Sequence, residues 1–219
     1  MTGRRLERRR YVAITGAIAA GVSTLAHTLI QKLGWEPLLE EAVEIYNSFF
    51  VDAYADFPRW GFRSQVEFLT RSAERHLQLF DKLHRSETTQ ATVIIEDRTP
   101  FEHTGAYLLA YRRLHWISDR EAQSLERLTR VIERHYVAPD LLIFREASLV
   151  QLVERTTRRA RPGEQQLNSQ VLDEMRRSFS EFIENWDRSP VLTIGATTDL
   201  FDERAATAIV TAVHNSLLP

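Results

Sequence analysis

Five short apolar bursts punctuate the chain, at residues 11–15, 35–39, 92–96, 140–144 and 190–194, and each reads as a buried strand. Between them run long stretches with apolar residues three and four apart, such as Val66, Leu69, Ala73, Leu77, Phe80 and Leu83, which is the period of a helix with one buried face. Short apolar strands separated by helices predict an α/β fold, a five-stranded parallel sheet flanked by helices on both faces. Pro58, Pro100, Pro139, Pro162 and Pro190 all fall at joints of this pattern, where a missing amide costs little.

The chain has 219 residues, 43% of them hydrophobic, and a formal charge of −2, enough to bury the core of one ordinary domain. We expect a single domain over 11–219 behind a basic, flexible leader at 1–10. That leader has no apolar core of a signal peptide, and no run approaches the roughly 18 apolar residues of a membrane span. With the rest of the chain slightly acidic, it reads as a solvated tail rather than a nucleic-acid arm, so neither nucleic acid nor membrane is an expected partner. The absence of cysteine excludes a disulfide framework, a zinc-thiolate site and cysteine catalysis, and makes the cytoplasm the expected compartment.

Candidate chemistry begins after the first strand. Gly16-Ala17-Ile18-Ala19-Ala20-Gly21-Val22-Ser23-Thr24 matches G-x-x-x-x-G-K-[ST] everywhere except at the lysine, where Val22 stands. Backbone amides at Gly16, Ala17, Ala19, Ala20, Gly21, Val22, Ser23 and Thr24 and the following helix N-terminus can bind an anion without that lysine, and the Ser23 or Thr24 hydroxyl can face Mg²⁺. The same glycines would also serve a plain strand-to-helix turn. Loss of one charged stabiliser of phosphoryl transfer commonly costs roughly 10²- to 10³-fold in rate. Basic residues are almost all arginine, with lysine only at Lys32 and Lys82. The dense run Arg155, Arg158, Arg159 and Arg161, ending in Pro162-Gly163, reads either as a solvated helix face or as guanidinium forks for phosphate oxygens. Glu41 and Asp97-Arg98 follow the second and third strands, so they converge with the loop on the crevice outside the strand ends. Glu40 competes with Glu41 as the carboxylate that takes a proton there. The seven histidines show no metal-ligand spacing.

Several segments together resemble the deoxynucleoside kinase family, in its deoxyadenosine and deoxyguanosine kinase branch, with a degenerate phosphate loop. Leu33 to Val43 looks like the family segment ending in Glu-Pro-Val, with Ala42 in place of proline, and Tyr54 to Gln65 is similar to its tyrosine-to-glutamine substrate segment. Asp97-Arg98-Thr99-Pro100 looks like its Asp-Arg motif, and Arg155 to Glu164 like its arginine-rich lid. The resemblance implies a three-layer P-loop kinase fold that transfers the γ-phosphate of ATP or another nucleoside triphosphate, with Mg²⁺, to the 5′-hydroxyl of a deoxynucleoside. By it Glu41 is the general base, Arg98 holds base and phosphate, and Arg159 and Arg161 close over the donor. Gln65 reads the nucleobase, Trp60 walls its pocket, and Tyr54 and Glu164 hold the sugar, with Asp97 also on the substrate side. Ser23 is the expected metal contact. His103 stands where purine-type relatives often carry an aspartate.

Family members are usually dimers joined through helices, so a homodimer, or a heterodimer with a paralogue, is expected. Three readings follow from the lysine-less loop: a working kinase, a catalytically impaired nucleoside-binding or regulatory subunit that pairs with an intact paralogue, and a structural subunit keeping only the fold. Retention of the substrate-side residues speaks for the first two.

Overall fold

The computed structural model describes residues 9–84 and 93–217. One parallel sheet holds β1 (Arg10–Thr15), β2 (Glu36–Leu38), β3 (Val93–Asp97), β4 (Leu141–Arg145) and β5 (Val191–Ile194), in the order β2-β3-β1-β4-β5. Each expected burst holds a strand, displaced by at most one residue at either end. The α-helices among the described residues are α1 (Val22–Leu33), α2 (Val43–Tyr46), α3 (Phe50–Ala55), α4 (Phe57–His84), α5 (Leu108–Arg113), α6 (Asp119–Ile132), α7 (Leu149–Arg159), α8 (Ser169–Glu184) and α9 (Glu203–Leu217).

The alternation of β1 sorts the layers. Val12 and Ile14 meet Leu25 and Leu29 of α1 and Ile209 and Val213 of α9 on one face of the sheet. Tyr11 and Ala13 face Leu79 of α4 on the other. A further apolar cluster running from Leu69 of α4 through Leu125 of α6 to Met175 and Phe179 of α8 thickens that second face.

α4 turns a different side inward from the one its apolar spacing suggests. Leu69, Ser72, Arg75, His76 and Leu79 are buried, while Leu77 and Phe80 are 66% and 50% exposed. The polar groups tolerate burial because they are paired: Arg75 with Glu96, Ser72 with His103, and His76 with the Val137 carbonyl.

The expected leader is shorter at its inner end. Arg10 opens β1, and Arg9 pairs with Glu36 and donates to the Lys82 carbonyl at 2.8 Å, because a carboxylate waits beside the strand for it. Residues 1–8 of that leader lie outside the described residues.

β1 lies between β3 and β4, so the chain leaves it at the point where connections depart to opposite sides of the sheet. In open parallel sheets the crevice outside the strand ends forms there. The loop after β1, the end of β3 and the end of β4 meet at that crevice.

Candidate active site

The loop from Gly16 to Val22 is shaped by close backbone approach. A Cβ on Gly16 would stand 2.6 Å from the Arg145 carbonyl oxygen, so no larger residue fits without movement. Gly21 takes φ 97°, a left-handed conformation, and caps α1 without any side-chain hydrogen bond, leaving first-turn amides for an outside acceptor. Beside the loop is a cavity of about 570 Å³ lined by Ala19, Gly21, Val22, Ser23 and Thr24 and by six arginines, Arg98, Arg145, Arg155, Arg158, Arg159 and Arg161. The remaining expected loop residues support it from beneath: Ala17 and Ala20 are buried, and Gly16 accepts from Arg98. Val22 is 3% exposed and packs in the apolar cluster of α1, β5 and α9.

A second, narrower cavity adjoins the first and shares Arg98, Arg159 and Arg161 with it. Glu40, Tyr54, Gln65, Tyr107 and Glu164 line it, with Phe50, Phe68, His103 and Tyr111 completing an aromatic wall and Ile18 beside it. Arg159 is bound through Nε to Glu164 at 3.0 Å, and Arg161 reaches Glu44 at 2.9 Å and Glu164 at 3.6 Å. The end of the arginine-rich segment is thereby folded across the cavity mouth.

Of the two adjacent glutamates after β2, Glu40 is the one that lines this cavity. Its amide donates to Asp97 Oδ1 at 2.6 Å, and its Oε1 accepts from the Tyr46 hydroxyl at 2.8 Å and from Arg75 Nη1 at 3.3 Å. Glu41, the expected base, points away: it is about half exposed and pairs with Arg71 at 2.6 Å. The clamp on the Glu40 amide fixes the loop after β2, and with it which of the two adjacent side chains turns inward. Trp60 also departs from its expected place. It stacks on Phe49, with the Arg59 and Arg63 guanidiniums 5.0 and 4.8 Å from its ring, and does not line the cavity. The wall is made by Phe68, Tyr107 and Tyr111 instead. Asp97 lies behind the cavity rather than in it, holding the Glu40 amide.

Arg98 joins the two cavities. It is left-handed at φ 79°, its amide donates to the Ile14 carbonyl at 2.9 Å, and its Nη1 reaches the Gly16 carbonyl at 2.6 Å and Glu102 at 3.2 Å. Burial works against its charge, but Tyr107, Glu102, Glu40 and Asp97 together hold it more firmly charged than an ordinary arginine. Burial pushes Glu102 up to about 7 against the pull of Arg98, and Glu96 likewise up to about 7 against Arg75. Behind Glu40 these groups form a chain, with Tyr11 donating to Glu96 and Glu96 accepting from Arg75 at 3.2 Å. His103 is driven down to about 3 by burial and by Arg75 and Arg98, and its Nε2 lies 2.7 Å from Ser72 Oγ. It is therefore a neutral group in the cavity wall.

Among the described residues no cluster of three or more histidine or acidic side chains could enclose a metal ion. The pair at the foot of the loop does suit Mg²⁺, a hard cation that keeps waters and phosphate oxygens and asks for one or two protein oxygens. Burial holds the Asp97 carboxylate above its usual range, and the neighbouring Glu40 amide and Ser23 hydroxyl favour its charged form. A hydroxyl beside an under-compensated carboxylate is the donor set such an ion takes.

A parallel sheet with a glycine-bounded loop after its central strand, and a cationic segment across the crevice, defines the P-loop kinase fold. Residues 12–219 match the deoxynucleoside kinase family, and the chain belongs to that family of nucleotide-dependent phosphotransferases. It is 26% identical over 185 residues to the deoxyadenosine/deoxycytidine kinase of Bacillus subtilis, covering 84% of this chain and 81% of the relative. It is 24% identical to the deoxyadenosine kinase of Dictyostelium discoideum over 208 residues, 94% of this chain and 80% of the relative. Among solved structures, the deoxyadenosine kinase of M. mycoides with dCMP and dCDP bound superposes with a TM-score of 0.79 at 22% identity, covering 94% of this chain and 99% of that one. The same enzyme with dATP bound gives a TM-score of 0.77, at 22% identity and with the same coverage of 94% and 99%.

Proposed function

We propose that this chain transfers the γ-phosphate of ATP or another nucleoside triphosphate to the 5′-hydroxyl of a deoxynucleoside. The observation that carries the reading is the joining of two cavities at Arg98: one walled by aromatics and holding Glu40, the other formed by the loop and the arginines. In the first, Gln65 offers donor and acceptor to a nucleobase edge, the aromatic wall stacks on it, and Tyr54 and Glu164 meet the sugar hydroxyl. Glu40 accepts the 5′-hydroxyl proton as that oxygen bonds to the γ-phosphorus and the bond to the β–γ bridging oxygen breaks. Arg98, Arg159 and Arg161 spread their charge over the transferring group. Mg²⁺, with Ser23 and Asp97 as the protein groups that would hold it, supplies charge neutralisation on the donor phosphates.

A second reading, a nucleoside-binding subunit that turns over slowly or only beside an intact paralogue, is favoured by one feature: Val22 occupies the lysine position and is buried. Either reading goes with a cytoplasmic protein; among the described residues no helix is long and apolar enough to cross a membrane. Self-association is supported by the apolar face that α4 and α6 leave outside, with Leu77 and Val131 both 66% exposed.

The test is phosphorylation of each of the four deoxynucleosides with ATP·Mg²⁺ and with GTP·Mg²⁺, beside a Glu40→Gln control. Turnover that the control lacks supports the kinase. No turnover above the control, in a protein still stabilised by a deoxynucleoside, supports the binding subunit.

A further inference from the structure

The loop has lost its lysine, and neither lysine of the chain can replace it. Lys32 lies ten residues along α1, about 15 Å from the loop, and pairs with Glu203 at 2.5 Å. Lys82 is bound to Glu36 beside the opposite end of β2. The replacement charge must therefore come from an arginine, and most of those around the cavity are engaged elsewhere. Arg98 is held by the Gly16 carbonyl and Glu102. Arg145 donates to the carbonyls of Ile194 at 3.3 Å and Thr198 at 2.8 Å, which makes it a clamp on the loop after β5. Arg159 and Arg161 are bound to Glu164 and Glu44, and Arg158 is exposed in the last turn of α7.

Arg155 is different. Its Nη1 donates to the Ala20 carbonyl at 2.8 Å and the Ala19 carbonyl at 3.4 Å, the two residues just before Gly21. The same nitrogen is 3.7 Å from where a Cβ on Gly21 would stand. Its position is set by α7, whose first turn is closed by a Ser148–Gln151 capping box and whose neighbouring residues Leu152 and Thr156 are buried. Among the described residues no carboxylate forms an ion pair with it, and its charge is felt by Arg145, which burial and then Arg155 push downward. A guanidinium has five N–H donors, so one nitrogen bound to the loop leaves others for a ligand in the cavity.

We infer that Arg155 replaces the missing lysine: docked on the carbonyls of Ala19 and Ala20, it presents a fixed positive charge to the β- and γ-phosphates of a nucleoside triphosphate. The inference rests on the donor cavity of the proposed function and adds to it the residue that makes a valine-containing loop workable. Arg159 and Arg161 are tied to Glu164 and Glu44, whereas Arg155 is tied to the loop itself.

The experiment measures donor binding apart from turnover. ATP·Mg²⁺ and ADP·Mg²⁺ are titrated calorimetrically into the wild-type chain and into Arg155→Ala, Arg155→Lys and Arg155→Ala combined with Val22→Lys. Far-ultraviolet circular dichroism and thermal melts confirm that each is folded. Arg155→Ala is expected to weaken both nucleotides at least tenfold and, where turnover is seen, to lower kcat roughly 10²-fold with the deoxynucleoside KM within threefold. Arg155→Lys is expected to retain most of the binding, and Val22→Lys to restore at least tenfold to Arg155→Ala. Should the Val22→Lys combination not fold, guanidinium chloride at low millimolar concentration takes its place as a rescue of Arg155→Ala. Nucleotide binding within twofold of wild type in Arg155→Ala overturns the inference, as does a wild-type chain that binds neither nucleotide. A wild-type chain that phosphorylates no deoxynucleoside, yet binds ATP through Arg155, overturns the proposed reaction and leaves the inference standing.

Discussion

The Arg98 guanidinium donates to the Gly16 carbonyl across 2.6 Å, tying the residue after β3 to the first residue of the loop after β1. Arg98 also neutralises Glu102, whose side chain is fully buried and accepts from Thr15 at 2.6 Å. Removing the arginine strands that carboxylate. Arg98→Ala is therefore expected to lose activity by roughly 10²- to 10³-fold and stability by about 3–5 kcal/mol, the cost of a buried charge left unpaired. Adding Glu102→Gln is expected to return most of the stability and none of the activity, a separation that urea titrations and initial rates read directly.

The two adjacent glutamates give a sharp comparison. Glu40 is held by Tyr46, Arg75 and the Asp97 clamp on its amide, while Glu41 sits half exposed on Arg71. We expect Glu40→Gln to lower kcat by about 10²- to 10⁴-fold, the range of general-base catalysis, and Glu41→Gln to stay within threefold. Initial rates at saturating deoxynucleoside and donor decide it. Equal losses in both variants would defeat the assignment.

What the sequence made legible follows from what it encodes redundantly. The three central strands are buried on both faces and the edge strands β2 and β5 in part, all five are apolar runs, and the loop after β1 is spelled by two glycines at fixed spacing, so both were readable. α4 was readable as a helix but not by its inner face, because Ser72, Arg75 and His76 are buried through partners far away in sequence. Glu40 against Glu41 turned on a backbone clamp from Asp97, and neighbouring identical residues carry no sign of which one turns inward. Trp60 had the right chemistry for a base pocket and the wrong direction. Arg145 carried a signal, a charge ending an apolar strand, of the same kind that singled out Asp97-Arg98. Arg75 and Tyr46, which brace Glu40, gave none.

Each buried titratable group contributes to acid sensitivity with a definite sign. His103 and His76 are held down to about 3 and about 4 by burial, against an ordinary value near 6.5. Below pH 6.5 the unfolded chain takes up protons that the folded chain refuses, so this stability is full above 6.5 and is lost as pH falls toward the folded values. Glu96 and Glu102, raised to about 7, act oppositely: the folded chain binds the extra protons, and stability drops as pH rises through about 4.5 to 7. Replacing His103 by Gln is expected to remove about 1.4 kcal/mol of slope per pH unit between pH 6.5 and 3, visible in denaturant midpoints as a flatter limb below about pH 4.5, where Glu96 and Glu102 no longer oppose it.

Gly16 and Gly21 are required for different reasons, and substitution distinguishes them. A Cβ at Gly16 meets the Arg145 carbonyl at 2.6 Å, against backbone that cannot swing aside, whereas at Gly21 the nearest atom is 3.7 Å away and only φ 97° resists. Gly16→Ala is expected to cost about 1–3 kcal/mol through overpacking and to displace β4 from β1, and Gly21→Ala about 1–2 kcal/mol through left-handed strain alone. Amide exchange separates them: lost protection should spread into β4 for Gly16→Ala and stay within the loop and the first turn of α1 for Gly21→Ala.

The face of α4 that the sheet does not use carries Leu77 and Phe80, 66% and 50% exposed, and α6 adds Leu128 and Val131 at 39% and 66%. α4 packs beside α6, and we expect these side chains to act as one apolar strip on the outside of the two helices. A second copy of the chain, laying the same strip against this one, would bury it with twofold symmetry. We expect the wild type to run as a dimer in light scattering at micromolar concentration and Leu77→Glu combined with Val131→Glu to run as a monomer with unchanged helix content. Two copies of the double variant would bring their added carboxylates together in one closed interface, at a cost that an apolar strip of this size cannot offset. A wild-type mass equal to one chain would leave this face without a self-partner, and the double variant would then change nothing.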